Sequence, residues 1–220
     1  MEIEMESLMH LIMFDIDGTL IESCDFDTDC FSEAIKNVTG HELNTDWASY
    51  KNITDAGILD EFITQHDLSD QRDHIHKEVK ESFVKLVQAH LEVSPAREVD
   101  GAIDFLRQLQ LRTDVEVAIA TGGWEETARI KLQSAGFDIS GLAFASSSDA
   151  IERTKVMQVS ESRCSNTLFI SKTYFGDGVW DKEASENLSY NFILVGNKLR
   201  HSKQVDNFQS PEAALFHLGM

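Results

Sequence analysis

Two carboxylates stand two positions apart in FDIDGTL, residues 14–20, directly behind the apolar run LIMF and directly before a Gly-Thr turn. Asp15 and Asp17 held so close each raise the cost of ionising the other. Far downstream, GDGVWD at residues 176–181 spaces Asp177 and Asp181 four apart. Gathered in one crevice, four carboxylates repel one another unless a divalent cation neutralises them, and hard oxygen donors of this kind suit magnesium. Between these stretches, ATGG at residues 120–123 places Thr121 and Gly122 where a helix begins, and unpaired amides at a helix start bind anions. Whether these groups act together depends on the elements that carry them.

Residues 8–14 form a short, nearly continuous apolar run, the pattern of a strand buried on both faces. From about Asp25 to Leu91 the period turns helical. Phe31, Ala34, Ile35 and Val38 make one stripe, and Ile58, Leu59, Phe62 and Ile63 a second. Ile75, Val79, Phe83, Leu86 or Val87, and Leu91 make a third. SPAREVDG, with Pro95, reads as a linker. Beyond it strand and helix alternate: GAIDFLRQLQ, VEVAIA, WEETARIKLQSAG, LAFA, ERTKVMQVSES, KTYFGD, DKEASENL, NFILVG and SPEAALFHL. This predicts an α/β fold, a doubly wound parallel sheet formed by residues 1–21 and 97–220, with residues 22–96 inserted as an all-helical unit. Such sheets gather ligands at the carboxyl ends of their strands. DIDGT, TGGW, the region around ERTK and GDGVWD each follow a predicted strand, so the fold itself predicts that Asp15, Asp17, Asp177 and Asp181 converge.

FDIDGTL, ATGG and GDGVWD, in this order and at these distances, resemble motifs one, two and four of the haloacid dehalogenase-like superfamily, over roughly residues 8–200. The helical block sits where that family inserts its helical cap. Within the superfamily the chain resembles the capped phosphatases of the group that includes phosphoglycolate phosphatase and beta-phosphoglucomutase. The resemblance implies a Rossmann-like core and a magnesium-dependent phosphatase that hydrolyses a small phosphorylated metabolite through an aspartyl phosphate. On that resemblance Asp15 is the nucleophile, and Asp17 protonates the leaving oxygen and later takes a proton from water. Gly18 and Thr19 turn the chain beside the nucleophile, at the phosphate, and Thr121 with the amide of Gly122 holds the phosphoryl oxygens. Asp15, the Asp17 carbonyl and Asp177 hold Mg2+, with Asp181 as ligand or as support. The third motif departs from the family, which usually has a Lys often followed by Pro. AIERTKVMQ offers Arg153 and Lys155 without proline, and both stand as phosphate-binding candidates; an S-R-x-x-I pattern in relatives favours Arg153. A phosphomutase of the same fold is the alternative activity, and a non-catalytic binding protein the alternative class. Dehalogenases of the superfamily lack the second Asp, so Asp17 argues against that branch.

Composition bounds these readings. Of 220 residues, 42% are hydrophobic, which suits a folded core rather than a disordered chain. The formal net charge of -19 repels a nucleic-acid backbone, and an anionic substrate must be drawn by local cations, a metal or amides. Cys24, Cys30 and Cys164 are odd in number without CxxC spacing, which fits a reducing cytoplasm. MEIEMES carries glutamates where a secretory signal carries cations, and LMHLIMF is too short to span a bilayer. The expectation is a cytoplasmic protein with a small phosphate ester as partner and neither nucleic acid nor membrane; its oligomeric state is not legible. Among further residues, DFDTD at 25–29 reads as acids complementing a helix N-terminus. His74 and His76 point to different sides of a helix, Trp47 and Tyr50 read either as cap core or as aromatics that touch substrate, and Trp180 as packing. Asp55 reads as either a specificity contact or a helix cap.

Overall fold

The computed structural model describes residues 9–166 and 168–220; the segment MEIEMES and the predicted start of the first strand at residue 8 lie outside them. β1 (His10–Phe14) is the predicted buried strand. It lies between β4 (Val115–Ala120) and β6 (Ser171–Gly176), parallel to both. β5 (Ala143–Ala145) extends the sheet on one side, and β7 (Asn191–Val195) and β8 (Gln204–Val205) on the other, in the order β5-β4-β1-β6-β7-β8 with every pair parallel. Alternate residues of β1 feed two cores. Ile12 and Phe14 pack under α4 (Ala102–Gln110), α5 (Glu125–Ser134) and α8 (Pro211–Leu218). Leu11 and Met13 pack under α6 (Arg153–Ser162) and α7 (Val179–Asn187). A strand covered on both faces has no polar alternation, which is why HLIMF reads as a continuous apolar run.

The inserted block consists of α1 (Cys24–Thr39), α2 (Asp55–Gln65) and α3 (Arg72–Val93), with short 3-10 turns at Trp47–Ser49 and Ser69–Gln71. Its own core takes Phe31, Ala34, Ile35, Leu59, Phe62, Val79, Phe83 and Val87, the three predicted stripes meeting one another. Of the pair left open, Val87 is the buried residue. Where the chain leaves and re-enters the sheet domain, β2 (Ile21–Glu22) pairs antiparallel with β3 (Arg97–Glu98). The linker reading of SPAREVDG therefore needs correction: two of its residues form a ribbon that ties the two crossings together. A two-residue strand carries no periodicity, and β8 escapes the sequence for the same reason. Gly136 ends α5 as predicted, at φ 88, a left-handed conformation that costs a residue without Cβ little. Among the described residues no helix is long and apolar enough to cross a membrane.

Candidate active site

The register of the sheet assembles the site. Phe14 stands opposite Ile119 and Phe175, so Asp15 follows β1 at the edge where Thr121 follows β4 and Asp177 follows β6. The Asp15 amide donates to the Phe175 carbonyl at 2.9 Å, which carries the ladder one residue past the strand. Asp15 lies 3% exposed in a cleft of about 150 Å3 between sheet edge and helical insert. Of the predicted residues, Asp15, Asp17, Thr121, Gly122, Arg153 and Asp177 line this cleft. Carboxylate oxygens of Asp15, Asp177 and Asp181 all lie within 4.8 Å of one another, and all three residues are buried.

Burial, then the charge of Asp181, pushes the Asp15 carboxyl well above the ordinary carboxylate range, against the opposing pull of Arg153. Burial and Asp181 likewise push Asp177 up to about 6, although Lys198 pairs with it and opposes the shift. Asp181 accepts from the amides of Asp177 and Gly178 through Oδ2, at 3.2 and 3.0 Å, while its buried Oδ1 receives no hydrogen bond. Three crowded carboxylates, one with a buried oxygen that accepts no hydrogen bond, fit a hard divalent cation, which would neutralise them together. The residues present are therefore suited to Mg2+.

Arg153, at the first turn of α6, reaches into this cluster. Its Nη1 donates to Asp15 Oδ1 at 2.9 Å and lies 3.2 Å from Asp181 Oδ1, and Nη2 donates to the Ile53 carbonyl at 3.2 Å. Tyr174 braces the same guanidinium at 3.5 Å and donates its own hydroxyl to the Ala120 carbonyl at 2.6 Å. Lys155 is a correction. It is exposed, donates to Gln158 at 3.2 Å and stands outside the cleft, because two positions along a helix turn a side chain to another face. Gly18 and Thr19 also stand outside the lining. Gly18 makes the turn, at φ 80 with its amide on the Ile21 carbonyl, and Thr19 is fully buried beneath it. Gly122 is glycine because of close approach: a Cβ there would meet Arg153 Nη2 at 2.6 Å and the Ile53 carbonyl oxygen at 3.1 Å.

The sequence reading missed Lys131. This lysine is fully buried in the last turn of α5, and its Nζ donates to Asp17 Oδ1 and Oδ2 at 2.6 and 2.7 Å and to Asp27 Oδ1 at 2.6 Å. All three of its donors are thus used. Burial alone would favour the neutral amine, but the charges of Asp17 and Asp27 outweigh it and hold Lys131 as an ammonium. The signal was available: Lys131 falls with Ala128, Leu132 and Ala135 on the apolar stripe of its helix. Asp27 corrects the reading of DFDTD. Asp25 is an exposed acid in the first turn of α1, whereas Asp27 faces the cleft, and burial pushes its carboxyl up to about 6 against the pull of Lys131. Ser23 also donates to Asp17.

At the start of α2, Thr54 is the cap, accepting from the Gly57 amide at 3.1 Å. Asp55 instead accepts from the Trp124 amide at 2.8 Å while its own amide donates to the Gly122 carbonyl at 2.8 Å, so it joins the insert to the TGGW turn. Burial, followed by the charge of Asp27, pushes Asp55 up to about 8. Tyr50 is buried in the core of the insert; Trp47 packs against that core and also lines the cleft, and Trp180 lines it too, which corrects the reading of Trp180 as packing. His76 pairs with Asp60 at 2.6 Å and His74 is exposed.

With this geometry in place, a family model described as haloacid dehalogenase-like hydrolase matches residues 12–186. Among solved structures, a hydrolase from Pseudomonas syringae is 17% identical with a TM-score of 0.69, over 94% of this chain and 97% of that one. Beta-phosphoglucomutase from Clostridium difficile is 13% identical with a TM-score of 0.72, over 97% and 100%. CbbY from Rhodobacter sphaeroides, crystallised with phosphate, is 16% identical with a TM-score of 0.64, over 92% and 96%. At these identities the likeness is one of fold. No curated protein sequence matches the chain.

Proposed function

From its membership of the haloacid dehalogenase-like hydrolases, the family to which the chain belongs, we propose that it is a magnesium-dependent phosphatase acting on a small phosphate monoester through a phosphorylated Asp15. The observation that carries this reading is the buried Asp15 carboxylate at the cleft floor, hydrogen-bonded to Arg153 at 2.9 Å and clustered with Asp177 and Asp181.

Asp15 attacks phosphorus in line with the ester oxygen, forming an acyl phosphate as the bond to the alcohol breaks. Asp17 supplies the proton that the departing alkoxide takes up. Water then attacks the acyl phosphate, Asp17 takes its proton, and inorganic phosphate leaves as the Asp15 carboxylate is restored. Lys131 donates to both Asp17 oxygens at 2.6 and 2.7 Å, which fixes where that group stands for both proton transfers. Thr121 and the amide of Gly122 bind the phosphoryl oxygens, and Arg153 holds the nucleophile and the phosphoryl group in one geometry. Asp15, Asp177, Asp181 and the Asp17 carbonyl would hold Mg2+, which when bound neutralises the carboxylates and screens the incoming phosphate. The helical insert, residues 22–96, is the cap that excludes water. Release of p-nitrophenol from p-nitrophenyl phosphate tests the reading: turnover is expected with Mg2+ and lost in EDTA, and a protein equally inactive in both would refute it.

A further inference from the structure

The cleft has two chemically different walls. At the sheet edge lie the phosphoryl-binding groups, with Arg153 on Asp15 and Lys198 on Asp177. The opposite wall comes from the helical insert and presents Phe31, Trp47, Ile53 and Ile58 with the carboxyl groups of Asp27 and Asp55. Among the described residues, no Lys, Arg or His of the insert lines the cleft. Lys131 stands behind this wall with its three donors committed to Asp17 and Asp27. An ester that fills the cleft with its phosphoryl group on the floor brings its alcohol part against the insert's wall.

We infer, on the basis of the phosphatase reading, that the substrate is the monophosphate of an alcohol that is neutral or amine-bearing and carries no second anionic group. A carboxylate or second phosphate placed against the insert would give up water without gaining a countercharge, beside apolar groups and two carboxyl groups whose partners are already Lys131 and the Trp124 amide. An uncharged chain instead buries against Ile53, Ile58 and the aromatic rings. An ammonium gains further, because aromatic faces attract cations and two carboxyl groups stand beside them.

Three esters of similar size separate these outcomes: propyl phosphate, phosphoethanolamine and 2-phosphoglycolate, with p-nitrophenyl phosphate as a measure of phosphatase activity itself. With Mg2+ present, kcat/KM for the neutral and ammonium esters should exceed that for the carboxylate ester by about 100-fold, ~2.7 kcal/mol. Calorimetric Kd values on the same magnesium-loaded protein should follow the same order. Equal or tighter binding of 2-phosphoglycolate, or no measurable binding of any ester, overturns the inference. The expected order in Kd without turnover of any ester, p-nitrophenyl phosphate included, upholds the inferred charge preference and refutes the phosphatase reading alone. Thr28, in α1, also lines the cleft from the insert, and Thr28→Lys, which adds an ammonium to that wall, should narrow the ratio between carboxylate and neutral ester by at least about tenfold; an unchanged ratio would count against that wall as the discriminating surface.

Discussion

Replacing Lys131 by methionine keeps the length and apolar stem of the side chain and removes only the buried ammonium. The structure sets the scale of the effect. Nζ makes three charge-assisted hydrogen bonds at 2.6–2.7 Å to two carboxylates, and the side chain is fully buried, so solvent screens little of this. Removing one member of a buried ion pair costs roughly 3–5 kcal/mol, chiefly because the partner charges stay behind uncompensated. In a chain of this size each 1 kcal/mol moves Tm by about 2–4 °C, so Lys131→Met should lower Tm by roughly 6–20 °C in scanning calorimetry. Asp27→Asn added to Lys131→Met removes one stranded carboxylate and should recover part of the loss. Turnover should not recover with it, because Asp17 still lacks the group that fixes both of its oxygens. A single variant within ~2 °C of the parent would refute the triad, since no buried ammonium can be lost so cheaply.

Further perturbations separate neighbouring groups. Arg153→Ala should lower kcat/KM on the order of 100-fold or more, through loss of ~2–4 kcal/mol at the transition state, whereas Lys155→Ala, on the exposed face of α6, should leave it within about twofold; the reverse pattern would contradict the site. Gly122→Ala drives a methyl group into the buried Arg153 guanidinium at 2.6 Å. It should depress turnover at least about tenfold while magnesium affinity is kept, and an active variant would show that the two residues do not meet. In EDTA, Tm should fall as pH rises from about 5 to 8. Asp27 and Asp177 at about 6 and Asp55 at about 8 stand above the ordinary carboxylate value of 3.8, so the folded state holds more protons than the unfolded chain across this window. Magnesium at the upper end should restore the part of the loss that arises at Asp177; a Tm that climbs with pH in EDTA would refute the assignment.

The sheet and its active edge were legible because they rest on local patterns. HLIMF has the pattern of a strand covered on both faces, as in a parallel sheet, and DIDGT, TGGW and GDGVWD each follow such a run, so strand order and register bring Asp15, Thr121 and Asp177 together. What escaped depends on contacts between distant segments. Arg153 and Lys155 are both cations near one helix start, and only the position of α6 against β1 turns the first toward Asp15. Asp27 looks like any first-turn acid until α5 supplies Lys131 from 104 residues away. Lys131 itself broke a local rule, a charge on an apolar stripe, and such breaks mark places where tertiary partners take over. Asp55 shows the same effect: the cap position went to Thr54, which freed Asp55 to accept from the Trp124 amide across the cleft.

The central claim is that Asp15 carries the phosphoryl group, and trapping that species tests it most directly. Asp17→Asn lacks the base for the second step, so with p-nitrophenyl phosphate and Mg2+ it should release a burst of p-nitrophenol and then stall. Acid quenching, proteolysis and mass spectrometry should find one phosphoryl group on the peptide holding Asp15, at that residue, and none after Asp15→Asn is added. A phosphoryl group on another residue, or sustained turnover by the Asp15→Asn protein, would contradict the account.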